Sequence, residues 1–292
     1  MMRRASIALL VLIAALVASH ARTLALSHPG AVAPSSRLVS LVPAVTEMLF
    51  AMGAGDDVVG VSSYDRYPPE ALTKPKVGAL VDPDFERILS LKPDLVIVYG
   101  TQVDLIARLE RARIPIHKYE LAGLPNVTAT IRALGDRIGR ATAGRALADR
   151  IESELAAIRK RVAGLPRPKT ALIFGREAGT LRGIYASGGI GFMHDMLEAA
   201  GGQDVFGDVK RQSLQATTEM LLARAPEVII EAYPSEGWPA DRIARERDVW
   251  RMLPSLPAVK NRRVYVLSDD RLSVPGPRIV DGVRVLADVL HR

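Results

Sequence analysis

The hydrophobic pattern is organised around one helical stretch near the middle of the chain, residues 142–164. Leu147, Ile151, Leu155, Ile158 and Val162 recur at steps of four, four, three and four, which places them on one apolar stripe of an α-helix. Polar residues fill its other faces, where Glu152 with Arg159 or Glu154 with Arg161 add little beyond solubility. Gly164, Pro166 and Pro168 stop the helix. About twenty helical residues span roughly 30 Å, the width of a small domain.

On either side, short apolar runs alternate with amphipathic ones. Before the long helix the pattern predicts strands over 37–42, 58–62, 95–99 and 116–120. Helices fall over 43–52, 103–113 and 127–139, and one carrying Glu86 is opened by Asp82 and Pro83 as cap and first turn. After it come strands over 170–174, 184–187, 228–233 and 264–267, with helices over 192–200, 218–224 and from about residue 278. The two halves share a phrase. Glu86-Arg-Ile-Leu-Ser-Leu-Lys-Pro93-Asp-Leu-Val-Ile and Glu219-Met-Leu-Leu-Ala-Arg-Ala-Pro226-Glu-Val-Ile-Ile each place a glutamate seven residues before a proline, then an acid and a buried strand. The expected fold is α/β: two lobes, 37–141 and 165–292, each a mainly parallel sheet flanked by helices, joined by one long backbone helix over 142–164.

In such sheets ligands sit outside the carboxyl ends of the strands. The loops there carry Pro43, Ala44 and Val45, then Ser63 and Tyr64, Gly100 and Thr101, Arg176, and Asp269, Asp270 and Arg271. Tyr64, beside Tyr67 and two prolines, suits either loop packing or a large flat ligand that needs apolar area and an orienting hydrogen bond. Arg176 either holds an anionic group of a ligand or pairs with Glu177 or a nearby acid. Glu86 and Glu219 gain from the helix macrodipole in a first turn, by about 0.3–1 kcal/mol, but that does not explain their matched spacing to a proline.

Composition narrows the classes. The 292 residues carry net charge +7, two lower once Arg3 and Arg4 leave with a leader; with no dense basic run and 5% aromatics, a nucleic-acid surface is a poor fit. The absence of cysteine excludes disulfides, thiol chemistry and a lipoprotein anchor. Arg3-Arg4, an apolar run over 5–18 and small residues around Ser19-His20-Ala21 have the order of a secretory signal peptide over 1–21, followed by a loose arm over 22–36. The run is short for a membrane span, so an exported, soluble, periplasmic product is expected.

No phosphate-loop, Gly-x-Ser-x-Gly or His-Glu-x-x-His motif occurs. Gly188, Gly189 and Gly191 lack dinucleotide-fingerprint spacing and read as a turn and helix start. His117, His194 and His291 are too scattered for a clustered metal site, and His194 reads as packed or solvent-facing before it reads as a ligand.

The stretches RLVSLVPAVTEMLFAMGAGDDVVGVSSYDRYPPEA, FERILSLKPDLVI, AGGQDVF and TTEMLLARAPEVII, behind a leader, resemble periplasmic substrate-binding proteins of ABC importers. The nearest branch is that of the vitamin B12-binding proteins, among helical-backbone receptors that also carry haem and ferric siderophores. The similarity runs from about Arg37 to the C-terminus, with Ser-Ser-Tyr-x-x-Tyr-Pro-Pro its most specific motif. It implies a monomeric, non-enzymatic receptor without a cofactor or metal of its own. Such a receptor captures cobalamin between its lobes, with haem or an iron chelate as the alternative, and delivers it to an inner-membrane ABC permease dimer. Glu86 and Glu219 match the glutamates that dock onto permease arginines, and Tyr64, Pro43-Ala44-Val45 and Asp270 match positions around the corrinoid. Near Leu80 and near Ser213, where B12 binders carry tryptophans against the ligand, this chain has no aromatic residue. The rival from another class is an exported metal-handling enzyme using Asp269, Asp270 and a histidine.

Overall fold

A computed structural model describes residues 36–234 and 238–292. The first lobe runs β1 (Leu38–Ser40), α1 (Pro43–Ala51), β2 (Val58–Val61), α2 (Phe85–Ser90), β3 (Leu95–Tyr99), α3 (Val103–Arg111), β4 (Ile116–Tyr119) and α4 (Leu124–Arg137). Its four strands form a wholly parallel sheet in the order β2-β1-β3-β4. Every residue of β3 except Tyr99 is buried, and its side chains alternate: Leu95 and Ile97 enter one core, Val96 and Val98 the core on the other face. Helices therefore cover both sides, as parallel strands require.

The linking helix, α5 (Ala141–Val162), buries the expected stripe from Leu147 to Val162. It packs chiefly against α4, and Gly144 permits the close crossing, since a Cβ there would stand 3.0 Å from the Ile131 carbonyl oxygen. Its charged faces bind mainly neighbouring helices, beside one loose pair of its own between Arg150 and Glu154 at 4.0 Å. Glu152 takes Arg132 of α4 at 2.7 Å, and Arg161 takes Asp288 at 3.0 Å.

The second lobe runs β5 (Lys169–Gly175), β6 (Ile184–Ser187), α6 (Phe192–Ala199), β7 (Gln203–Asp204), β8 (Ser213–Ala216), α7 (Thr218–Arg224) and β9 (Val228–Tyr233). It continues through α8 (Ala240–Asp248), α9 (Pro257–Lys260), β10 (Val264–Ser268) and α10 (Ile279–Leu290). Its sheet is mixed, in the order β10-β9-β5-β6-β8: β10, β9 and β5 are parallel, while β6 runs antiparallel to both β5 and β8. One apolar core passes from α1 through the α5 stripe to α6, β9 and α10, so both lobes share it.

The shared phrase has a structural basis. Asp84 and Thr217 cap α2 and α7, accepting from Arg87 N at 2.9 Å and Met220 N at 3.2 Å. The cap of α2 is thus Asp84, two residues beyond the expected Asp82, because Pro83 precedes the helix and does not open it. Both helices are followed by a left-handed residue before the proline, Lys92 (φ 46°) and Ala225 (φ 49°). The acid after each proline then ties down the start of the adjacent strand. Asp94 accepts from Ser36 N at 3.1 Å, and Glu227 from Lys169 N at 2.9 Å.

Candidate functional site: the cleft between the lobes

The carboxyl ends of β1 to β4 and of β9 and β10 converge on a cavity of about 410 Å³. Pro43 and Ala44 enter it from the start of α1, Tyr64 from the loop after β2, and Asp270 from the loop after β10. Aromatic rings dominate the first-lobe wall. Tyr64 is 64% exposed, and Tyr99 meets Tyr119 edge-on with centroids 5.8 Å apart. Burial raises both phenols, Tyr99 to about 12, so both stay neutral hydrogen-bonding groups. A second chamber of about 360 Å³, reaching Phe174 and Gln212, shares Leu121, Phe192, Pro234 and Ser273 with the first. The result is a long, largely apolar slot between the lobes.

Two candidates from the sequence lie elsewhere. Val45 is fully buried in the shared core, because the first turn of α1 presents Pro43 and Ala44 to the slot and turns the next residue inward. Arg176 follows β5 as expected, but its side chain is wholly buried and does not line the slot. It binds Glu231 at 2.7 Å and Glu246 at 2.9 Å, the pairing alternative with acids distant in sequence. Asp269 caps the turn after β10 and holds Arg271 through both oxygens. No described histidine lines the slot. His194 binds Asp204 at 3.1 Å in the second lobe, and His291 faces the Ala200 carbonyl at 3.0 Å. Among the described residues, Asp269, Asp270 and a histidine are therefore not brought together.

One slot feature escaped the sequence reading. Glu47 of α1 is 4% exposed and receives Arg278, which precedes α10 across the cleft, through two bonds of 3.0 and 2.5 Å. Burial raises the Glu47 carboxyl and the arginine partly offsets it. The guanidinium carbon lies 3.9 Å from the Tyr67 ring centroid.

The periplasmic binding protein family profile matches residues 38–271. Over 260 residues the chain is 30% identical to an uncharacterised ABC transporter substrate-binding lipoprotein, YvrC, of Bacillus subtilis, covering 87% of this chain and 80% of that one. It is also 30% identical to the vitamin B12-binding protein of Salmonella typhimurium, over 88% of this chain and 90% of the relative. Among solved structures, the apo periplasmic haem-binding protein RhuT of Roseiflexus superposes with a TM-score of 0.74 at 27% identity, over 88% and 98% of the two chains. The chain belongs to the periplasmic binding protein family. It is a substrate-binding protein of the ABC-transporter type, and its two-lobed α/β architecture is that of its relatives.

In this family member the two glutamates of the shared phrase are solvent-facing. Glu86 has an 82% exposed side chain, with Arg108 of α3 at 3.6 Å. Glu219 is exposed in the first turn of α7; its own amide and the Thr217 and Thr218 hydroxyls hold its carboxyl below the usual range. The positions without aromatics also reach the slot: Leu80 lines the first chamber and Ser213 the second. No described helix is long and apolar enough to cross a membrane.

Proposed function

We propose that the protein is an exported receptor that captures a corrinoid between its lobes and hands it to an inner-membrane ABC permease. The observation that carries this is the lining of the slot. Broad aromatic and apolar walls are joined by charges that balance among the described residues, Glu47 and Asp270 against Arg66 and Arg278. Such a lining suits a large, flat, nearly neutral ligand fringed with amides, which needs apolar area and a few orienting polar groups. A multiply charged anionic chelate would meet no net positive field. Pro43, Ala44, Tyr64 and Asp270 are the contacts on this reading, and residues 1–21 act as a leader removed on export. The B12-binding relative supports the same ligand class.

Haem or an iron chelate is the second reading. It is favoured by Leu80 and Ser213, which offer less stacking surface than aromatic residues would, and by the haem-binding structural relative.

Calorimetry and absorbance titration with cyanocobalamin, haemin and a ferric hydroxamate separate these readings. Stoichiometric binding of cyanocobalamin, with haemin at least tenfold weaker, is expected; the reverse order selects the haem reading. Tyr64→Ala should then weaken the preferred ligand by one to two decades, the loss of a ring that the ligand would cover and of a hydrogen bond, together worth roughly 1–3 kcal/mol. Mass spectrometry of the exported protein should find residues 1–21 missing.

A further inference from the structure

We propose that Glu47 and Arg278 are positioning residues whose pair across the cleft, closed by the Tyr67 ring, sets the separation of the lobes and holds Tyr67 at the slot. The effect on ligand retention rests on the slot being the ligand site; the effect on lobe separation does not.

The three side chains come from separate places. Glu47 lies in α1 and Tyr67 on the loop after β2, both in the first lobe. Arg278 lies at the start of α10 in the second, 231 residues from Glu47. Nε and Nη2 of Arg278 each donate to a different carboxylate oxygen, a two-point fork that fixes orientation as well as distance. A lysine could satisfy the charge but not the plane. The guanidinium also stacks on Tyr67, so the arginine that leaves the second lobe is gripped on an edge and on a face by the first.

The backbone around the pair is built for close approach. A Cβ on Gly276 would lie 2.8 Å from Glu47 Oε2, so the second-lobe loop before α10 passes directly against the carboxylate. Glu47, Tyr67 and Arg278 line the 410 Å³ slot on one side and a more polar hollow of about 810 Å³ on the other. That hollow reaches Arg150 and Glu154 on α5. The clasp thus stands where a change in lobe angle would alter both cavities. Tyr67 is 43% exposed, and its ring is set by the cation beneath it while still facing the slot. Losing the clasp releases both the lobe angle and this ring.

Breaking one partner strands a buried charge, whereas replacing both with neutral groups of similar size is far milder. The test therefore uses Glu47→Gln, Arg278→Gln and the double variant. The chain has no cysteine, so Arg111→Cys with Met252→Cys, both exposed and one per lobe, gives a clean pair of nitroxide sites. Pulsed electron paramagnetic resonance without ligand reads the lobe separation. The parent should give one narrow distance distribution. Each single variant should broaden it at least twofold, and the double should broaden it no further than the worse single. In a second arm, cyanocobalamin should leave Arg278→Gln and Tyr67→Leu at least tenfold faster, with association within twofold of the parent. An unchanged distribution in the folded double variant would overturn the proposal, leaving the pair a polar contact of the core. If the parent fails to bind cyanocobalamin, the ligand reading falls and the distance measurement still decides the clasp.

Discussion

Asp65 follows Tyr64 on the loop beyond β2, yet its carboxyl group turns inward and is 1% exposed. Neither oxygen has a hydrogen-bond partner of normal geometry among the described residues. Burial pushes its pKa to about 7; the nearby Thr46 hydroxyl and Lys76 ammonium offset only part of this, and Glu47 adds to it. The folded state then holds a proton that the unfolded chain releases near 4, so stability falls as pH rises from about 4 to about 7. Asp65→Asn removes that term. It should flatten the pH dependence and stabilise the protein at pH 8 by roughly 2–4 kcal/mol, with less gain at pH 5, since each unit is worth about 1.4 kcal/mol. Urea titrations at both pH values check this; equal midpoints for parent and variant at pH 8 would contradict it. Arg176 shows the limit of reading at this scale. Its place after a strand was legible, but its direction depends on Glu231, 55 residues away, and Glu246, 70 residues away. Arg176→Met should cost about 3–5 kcal/mol, because it leaves two buried acids without their cation. Ligand affinity per folded molecule should stay within twofold, and a selective loss of affinity would return Arg176 to the site.

Among the elements, those with an apolar period were legible and those without were not. The α5 stripe, the β3 and β9 runs and the repeated phrase all carry core residues at regular spacing. The α8 helix is charged on most faces and buries only Glu246, so its sequence has no stripe to read. Strand β8 is short and mostly exposed, so the antiparallel edge that it forms with β6 on an otherwise parallel second sheet left little pattern to read. The slot was legible as a set of strand ends, since parallel order dictates where loops gather. The clasp was not, because nothing local links Glu47 to Arg278. The shared core through α5 has a measurable consequence. Leu155 is 4% exposed in the middle of the stripe, and Leu155→Ala should cost about 2–5 kcal/mol. Because one core serves both lobes, unfolding should remain a single transition. Both tryptophans, Trp238 and Trp250, report the second lobe, so their fluorescence and the whole-chain circular dichroism should shift together. Separate midpoints would show that the lobes unfold independently.

At the scale of the whole molecule, the repeated phrase leaves its two glutamates unexplained after everything else in it has found a use. Caps, left-handed residues, prolines and acids all serve the start of a strand in each lobe. Glu86 and Glu219 remain exposed, and the ion pair of Glu86 with Arg108 is long and solvated. An exposed pair of that kind is worth only about 0–1 kcal/mol, so neither glutamate should matter for folding or ligand binding. A carboxylate presented by each lobe still suits a two-subunit permease that offers arginines, because charge complementarity governs encounter and register more than affinity. With the lobes joined by a continuous helix, two such contacts would act bivalently, and losing one would remove the effective concentration that helps the other. Glu86→Ala and Glu219→Ala should each leave the thermal midpoint and ligand affinity unchanged while weakening capture by the transporter. The double variant should abolish uptake in reconstituted vesicles. Raised salt should mimic the single defects in part, since exposed charges are screened beyond roughly 8–10 Å at physiological ionic strength. Normal uptake by the double variant would reduce both glutamates to first-turn carboxylates that favour their own helices.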